Sequence, residues 1–337
     1  MAYVVVIVGA FLGSLLGSAN ASAALLGRIL KPEMDRDGYE EVYSTCICAA
    51  TSILGPIIPP SMTFIIYGVA AQISIGDMFF AGIVPGILIA LAFCGIIYYD
   101  SKHKLGKDWP ANVRVLWMGR ILSIIKAIPA LLIPFLILGG ILGGITTPTE
   151  SAAVASLAAF IVGKFVYKQL KMQDLAPIFE RTAVTSAAIM IIVAMANILG
   201  WTMALDQIPQ MIADGLLSIT QNPYMLLLLI NIFLIFVGMV METFAAVIIL
   251  VPVLLPVVTS VGIDPLHFGI VMCVNLTIGL LTPPVGVALF TTSSVTGVSL
   301  NKLVGPIWRW VGIALIVQVL ITYIPALVTW LPYTFLH

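Results

Sequence analysis

The sequence predicts an all-α polytopic membrane protein, because apolar residues dominate it and form membrane-length stretches. Of its 337 residues, 61% are hydrophobic and 9% are charged, whereas about 25% are charged in an ordinary soluble domain. The stretches 79–99, 127–145, 182–204 and 304–331 are each long enough to cross about 30 Å of hydrocarbon as a helix. The formal net charge is zero. We therefore expect a lipid bilayer around the chain and no nucleic acid partner.

A repeated pattern of glycine and proline predicts that two of the membrane helices are broken. The pattern G-x-x-x-P-P occupies residues 55–60 and again residues 279–284. Gly38 and Gly262 are related by the same separation. Glycine and proline interrupt helices, and an interruption at membrane depth is tolerated only where the backbone is buried in protein or lines a cavity. Two such segments at corresponding places indicate the binding site of a secondary transporter.

The charges of the linkers predict that the two halves of the chain have opposite orientations. The linkers 28–41, 100–126 and 164–181 carry several Lys and Arg residues, which predicts that they are cytoplasmic. The linkers 205–223 and 258–267 carry Asp but no Lys or Arg, which predicts that they are external. The corresponding linkers 28–41 and 258–267 then lie on opposite faces, as in an inverted repeat.

The charge pattern divides the chain into four parts. These are a first transport half at 1–99, a cytoplasmic linker at 100–126 with a candidate amphipathic helix, scaffold helices at 127–204 and a second transport half at 205–337. Each half is predicted to contain a re-entrant helical hairpin, a broken transmembrane helix and a further helix. In the first half these are the hairpin 2–27, the broken helix 42–70 and the helix 79–99. In the second half they are the hairpin 224–257, the broken helix 266–296 and the last helix 304–331. The hairpin tips are expected near 17–20 and 238–243.

Polar residues beside the tips and breaks form two candidate clusters for an ion or a substrate. The first contains Ser18, Asn20, Ser22, Thr51, Ser52, Gly55 and Pro59, and the second contains Glu242, Thr243, Asn275, Thr282, Pro283 and Gly286. Unwound backbone supplies carbonyl oxygens to a cation, and helix N-termini favour a carboxylate. The expected Na⁺ ligands are Ser18, Gly55, Glu242 and Thr282. The alternative is that small and hydroxyl residues let membrane helices pack closely; this is the favoured interpretation for Ser22 and Thr51 taken singly.

Two acidic residues lie in apolar surroundings, where ionisable groups are costly and usually functional. Glu242 either ligates a cation or caps the hairpin tip, and the sequence leaves both interpretations open. Glu150 follows Thr147, Pro148 and Thr149 at a turn. Its position favours structural capping of a helix start.

The segment from Gly144 to Ala155 resembles a signature of the large membrane subunit, DctM type, of tripartite ATP-independent periplasmic (TRAP) transporters. The stretches 54–61, with Ile66-Tyr67-Gly68, and 262–286 are similar to the same family. The resemblance implies an elevator-type importer of organic acids, C4-dicarboxylates or related carboxylates, in the bacterial inner membrane. It implies Na⁺ as the coupling ion with no other cofactor, a small four-helix membrane subunit and a periplasmic substrate-binding protein as partners, and no enzymatic activity.

The two predicted halves are unequal. Residues 127–223 precede the second hairpin and hold three scaffold-type crossings, whereas only Met1 precedes the first hairpin. Because an inverted repeat has equal halves, the sequence predicts that about three helices are missing from the N-terminus.

Two other functions are consistent with parts of the pattern. A sodium/anion symporter of similar inverted-hairpin architecture would need no binding protein. An intramembrane enzyme is less well supported, because the chain has neither H-E-x-x-H nor G-x-S-x-G and has only three histidines.

Overall fold

The computed structural model describes residues 1–103 and 117–335, apart from 209, 213–214, 216–219 and 221. The regular structure of these residues is α-helical, with one π-helical turn at Val162–Val166. The main helices are Ala2–Leu16 (α1), Ala19–Arg36 (α2), Glu41–Ser52 (α3), Met62–Ala71 (α4), Ile75–His103 (α5), Trp117–Leu142 (α6), Pro148–Ile161 (α7), Met172–Leu205 (α8), Pro223–Val240 (α9), Thr243–Ser260 (α10), Pro265–Gly279 (α11), Val287–Thr296 (α12), Leu300–Tyr323 (α13) and Ala326–Phe335 (α14). The amphipathic helix predicted in the linker 100–126 falls mainly on 104–116, outside the described residues.

Seven helices of the described part are long and apolar enough to cross a membrane. They are α5, α9, α10 and α13, together with the segments Ile125–Leu142, Pro148–Val166 and Met172–Met203. The helices α1, α4, α11 and α12 are apolar but shorter, with 10–17 residues. The chain is therefore an all-helical, multi-pass membrane protein, as its composition predicts.

The chain forms two compact units. One contains residues 1–110 and 198–337, and the other contains residues 111–197. The first unit holds the segments predicted as hairpins and both G-x-x-x-P-P patterns, so it is the unit that positions the candidate site.

The segment predicted as the first hairpin contains α1, a sharp turn and the start of α2. Gly17 ends α1 because it adopts a φ of 61°, a left-handed conformation that carries no steric penalty for glycine. Its N–H donates to Gly13 O at 2.8 Å. Ser18 is extended, and its Oγ accepts from Ala21 N at 3.4 Å, which begins α2. The two helices therefore turn at Gly17 and Ser18.

The first G-x-x-x-P-P pattern separates α3 from α4. Its two prolines have no N–H and cannot continue a helical ladder, and the bond between Pro59 and Pro60 is cis. The hydroxyl of Ser61 donates to Pro56 O and accepts from Phe64 N at 3.3 Å. A single side chain therefore spans the break and caps the helix that follows it.

The second half of this unit contains the same order of elements. Helices α9 and α10 join through Met241 and Glu242, which are both extended. Helices α11 and α12 flank the second G-x-x-x-P-P pattern, in which the bond between Pro283 and Pro284 is cis. Each half thus has a helix pair followed by an interrupted helix.

The helix pairs α1–α2 and α9–α10, called the first and the second hairpin below, contact elements from both halves of the sequence. Helix α1 packs on α3, and α9 packs on α11, within their own halves. The second helix of each pair packs on the interrupted helix of the other half: α2 packs on α12, and α10 packs on α4. The two interrupted helices are consequently held by hairpins from both halves.

Helices α5 and α13 pack on each other and carry a buried ion pair. Arg309 donates to the Asp100 carboxylate, whose side chain is fully buried, while the Arg309 side chain is 48% exposed. A buried carboxylate needs such a partner because an unpaired charge in an apolar interior is very costly.

Two helices differ in extent from the predicted segments. The segment 304–331, predicted as one helix, divides into α13 and α14 at Ile324 and Pro325, because proline cannot donate to the helical ladder and disfavours a helical residue before it. Helix α8 begins at Met172, so Arg181 lies inside a helix although the sequence predicts a linker there. Hydropathy marks the apolar part of a helix and not the residue at which its hydrogen bonds begin.

Candidate functional site

The turns of the two hairpins meet at one contact. Asn20 Nδ2, in the first turn of α2, donates to Glu242 Oε1, which precedes α10, over 3.2 Å. The two residues belong to different predicted clusters and to different halves of the sequence. The fold therefore brings members of both clusters to one place.

The turn of the first hairpin also lies against both breaks. An added Cβ on Gly17 would lie 3.2 Å from the backbone nitrogen of Met62, where α4 begins. Ala19 forms a buried apolar cluster with Leu280 and Ala288, which belong to the second break and to α12. Small residues allow this close approach.

The second turn is hydrogen-bonded to the second break. Gly286 N donates to Met239 O at 3.3 Å, and Ala288 N donates to Leu280 O at 3.0 Å across the break itself. Gly286 has a φ of 54°, which glycine adopts without strain. The second hairpin thus accepts a hydrogen bond from the N–H of Gly286, which the break deprives of a partner within its own helix.

In each half, a glycine of the first hairpin arm contacts the glycine that opens G-x-x-x-P-P. An added Cβ on Gly13 would lie 2.6 Å from Gly55 Cα, and an added Cβ on Gly279 would lie 2.6 Å from Gly238 Cα. Backbones can approach this closely only where side chains are absent. Gly13 and Gly238 are not members of the clusters predicted from the sequence; the signal that could have identified them is a glycine shortly before each turn.

Five buried side-chain oxygens around the turns and breaks have no hydrogen-bond partner in the described part of the chain. They are Asn20 Oδ1, Ser22 Oγ, Thr51 Oγ1, Thr63 Oγ1 and Thr243 Oγ1. An unpaired polar atom in an apolar interior costs about 1–3 kcal/mol, so it calls for an explanation. All five can accept a hydrogen bond or ligate a cation.

The other members of the first cluster lie along the first break. Ser52 Oγ donates to Ala49 O at 2.7 Å, and Pro59 is buried in the cis pair. Gly55 faces Ser22, because an added Cβ on Gly55 would lie 2.7 Å from Ser22 Oγ. Ser22 belongs to the first candidate cluster, although packing is the favoured interpretation for it taken singly. It lies beside the break, and its hydroxyl has no hydrogen-bond partner among the described residues.

The second cluster surrounds the second turn and break, with one exception described below. Glu242 makes no side-chain capping bond, so its carboxylate faces Asn20 without capping α10. Thr282 is buried, and its Oγ1 donates to Ile278 O at 2.9 Å, which leaves the oxygen's lone pairs available. Pro283 is buried beside it.

Asn275 makes its contacts at a different place. Its Nδ2 donates to Asn231 Oδ1 at 2.5 Å, and Asn231 lies about 15 Å along α9 from the hairpin turn. Gln318 Nε2 donates to the same Asn231 oxygen at 2.7 Å. Asn275 therefore belongs to a buried amide cluster whose other members, Asn231 and Gln318, are not predicted from the sequence.

The motif at residues 147–150 forms a helix cap at the start of α7. Thr147 Oγ1 accepts from Glu150 N at 3.3 Å, and Thr147 N donates to Glu150 Oε2 at 2.7 Å. Pro148 occupies the first helical position, and Thr149 follows it. This reciprocal arrangement is a capping box, which satisfies two backbone groups of the helix start.

The donor set around the turns suits a hard cation better than a transition metal. Among the described residues, no three His, Cys, Asp or Glu side chains are grouped to hold a metal ion. The available groups are hydroxyl, amide and main-chain oxygens with the single carboxylate of Glu242. Oxygen ligands of this kind suit hard cations, and the N-termini of α2 and α10 favour a nearby anion.

A family model described as the DctM component of tripartite ATP-independent periplasmic transporters matches residues 1–327. The chain belongs to this DctM family. The family match covers nearly the whole chain, so it includes both broken helices and both hairpin turns.

Relatives of this DctM-family chain are named as TRAP permeases. The chain is 40% identical to the isethionate TRAP transporter permease protein DctMQ of Oleidesulfovibrio alaskensis, over 94% of the chain and 50% of that protein. It is 39% identical to the sialic acid TRAP transporter large permease protein SiaM of Vibrio cholerae and 38% identical to the C4-dicarboxylate TRAP transporter large permease protein DctM of Pseudomonas aeruginosa, each over 95% of the chain and 74% of the relative. The chain thus spans half of the first relative and about three quarters of the other two.

The substitution Gly279→Ala tests the close approach of α9 to the second break. The added methyl group meets the backbone of Gly238, which cannot rotate away, so α9 must move. We expect a loss of stability of about 1–3 kcal/mol, the usual cost of overpacking. Thermal unfolding of the purified variant measures it.

Gly312→Ala is the matched control, because no described atom from outside its own stretch of helix lies within 4 Å of its added Cβ. It should be neutral or stabilising, since alanine is the better helix former. Equal melting temperatures for the two variants would contradict the proposed contact.

Proposed function

We propose that this DctM-family chain is the large permease subunit of a sodium-coupled, binding-protein-dependent secondary transporter. It imports small organic acids, such as C4-dicarboxylates or related carboxylates, across the bacterial inner membrane. The observations that support the proposal most strongly are the unpaired, buried oxygens beside the hairpin turns and the breaks, and the contact between the two turns. Buried oxygens of this kind need a partner, and a bound cation or ligand would supply one.

Sodium is the proposed coupling ion because of the chemistry of these oxygens. A first ion is assigned to the oxygens of Ser18, Asn20 and Ser22 with the backbone of Gly55 and Pro59, near Ser52. A second is assigned to Thr282, Thr243 and Glu242, with the backbone of Pro283 and Gly286. These groups are neutral apart from one carboxylate, which suits a monovalent ion in an apolar environment better than a divalent one.

The substrate is proposed to bind between the two turns. The N-termini of α2 and α10 begin there and direct partial positive charge toward an anion. The names of the relatives above include isethionate, sialic acid and C4-dicarboxylate, and all three compounds are organic acids or their anions. We infer the same chemical class for this chain.

The two halves are proposed to be an inverted repeat that works by an elevator mechanism. The crossed packing of α2 on α12 and of α10 on α4 supports the repeat, as do the two glycine contacts, Gly13 with Gly55 and Gly238 with Gly279. In this mechanism, the unit that contains residues 1–110 and 198–337 carries the site across the membrane.

The proposed partners are a small four-helix membrane subunit and a periplasmic substrate-binding protein. The family description, tripartite and periplasmic, supports this assignment. The names of the relatives as permeases support a transporter that is not an enzyme.

Reconstitution tests the proposed function directly. The permease is placed in liposomes with its small membrane subunit, and uptake of a radiolabelled organic acid is measured with and without the binding protein and an inward Na⁺ gradient. We expect uptake only when both are present.

Each other outcome identifies a different function. Uptake without the binding protein would indicate a binding-protein-independent sodium/anion symporter. Uptake that ignores the Na⁺ gradient would contradict sodium coupling, and chemical conversion of the substrate would indicate an enzyme.

Thr282→Ala is predicted to weaken sodium activation. It removes one proposed ion ligand, so the half-saturating Na⁺ concentration should rise by roughly tenfold, which corresponds to about 1.4 kcal/mol. The control is Thr334→Ala, because the Thr334 hydroxyl also donates to a carbonyl one turn back but is exposed. Unchanged sodium activation in the Thr282 variant would exclude this residue from the site.

A further inference from the structure

Three amide side chains meet in the interior of the unit that holds the hairpins. Asn231 lies on α9, Asn275 on α11 and Gln318 on α13, and their exposed fractions are 8%, 0% and 2%. The cluster therefore links the second hairpin to the second broken helix and to a long membrane helix. Among the described residues, no hydrogen bond links this cluster to Asn20 or Glu242, where the two hairpin turns meet.

Every amide nitrogen of the cluster has two acceptors. Asn275 Nδ2 donates to Asn231 Oδ1 at 2.5 Å and to Asn231 O at 3.1 Å. Gln318 Nε2 donates to Asn231 Oδ1 at 2.7 Å and to Val271 O at 2.9 Å. Asn231 Nδ2 donates to Leu227 O at 2.7 Å and to Thr322 Oγ1 at 3.4 Å. This pattern fixes which end of each amide is the nitrogen, because rotating any of them would set oxygen against oxygen.

Two amide oxygens of the cluster have no hydrogen-bond donor among the described residues. Asn275 Oδ1 and Gln318 Oε1 are buried and accept from no residue that the structure describes. Their amide groups converge on a single atom, Asn231 Oδ1, so the two oxygens belong to adjacent side chains. A buried acceptor without a donor destabilises the fold.

We propose that Asn275 and Gln318 form an internal site for ordered water, which donates its hydrogens to these two oxygens. Buried water typically makes about three hydrogen bonds to groups that are otherwise unsatisfied. A cation is a poorer occupant, because oxygen-seeking ions take about six ligands and the cluster has two free oxygens and no carboxylate. An apolar guest would leave both oxygens unpaired.

The position of this water gives it a structural role at α11. Asn275 lies one turn before Gly279, so the water holds α11 just ahead of its break. In the first half, Thr51 has the same separation from Asn275 as the two proline patterns have from each other. Its neighbour there is Gly9, on which an added Cβ would lie 2.1 Å from Thr51 Cγ2, so Gly9 supplies no counterpart of the Asn231 amide.

A density map of the permease with its partner subunits, at a resolution that shows ordered water, tests the site. We expect each of the oxygens Asn275 Oδ1 and Gln318 Oε1 to have a peak within about 2.7–3.1 Å, from one water or from two. The density should be the same in Na⁺ and in choline. Absence of any peak would overturn the proposal. A peak that appears only in Na⁺, with contacts shorter than hydrogen bonds, would assign the site to a cation and also overturn it.

Gln318→Met supplies a second test, because methionine keeps the length of the side chain and removes the amide. The peak should disappear, and the melting temperature should fall by roughly 2–4 °C. Gln169→Met is the matched control at an exposed position and should change neither. A peak that persists unchanged in the Gln318 variant would contradict the assignment.

Discussion

The interrupted backbone of α11–α12 and α3–α4 is the constraint on which the rest of the structure depends. A broken helix leaves N–H and C=O groups without their helical partners, and hydrocarbon offers none. The structure satisfies them locally, through Ser61 in the first break and through Gly286 and Ala288 in the second. Proline reduces the number of donors that need a partner. The remaining requirement is a protein element close enough to exclude lipid.

The hairpin turns meet that requirement, and the site follows from their approach. Gly13 and Gly238 let the first arms contact the backbones of the breaks. The turns then bring polar side chains and helix N-termini to the same place, where Asn20 contacts Glu242. The packing that covers the broken helices thus also places several oxygen atoms near the two turns. The proposed sodium-coupled carrier of organic acids needs ligands of this kind.

The sequence predicts the elements that glycine and proline determine, because these residues act on their own backbone. The turn at Gly17 and both G-x-x-x-P-P breaks are of this kind. It does not predict the partners of Asn275, because a side chain on a helix fully buried on all faces can point to any neighbour, and its acceptor Asn231 is distant in sequence. The division of the last helix at Pro325 is a local signal that the apolar stretch around it obscures.

The measurement that tests the account most directly is a double-mutant cycle on Asn20 and Glu242. The half-saturating Na⁺ concentration of reconstituted uptake is determined for Asn20→Ala, Glu242→Gln and the double variant. If the hydrogen bond between Asn20 and Glu242 couples the two proposed ion sites, each single change should raise this concentration about tenfold and the double change should raise it little further. Independent effects, which would multiply to about a hundredfold in the double variant, would contradict coupling of the two sites through this contact.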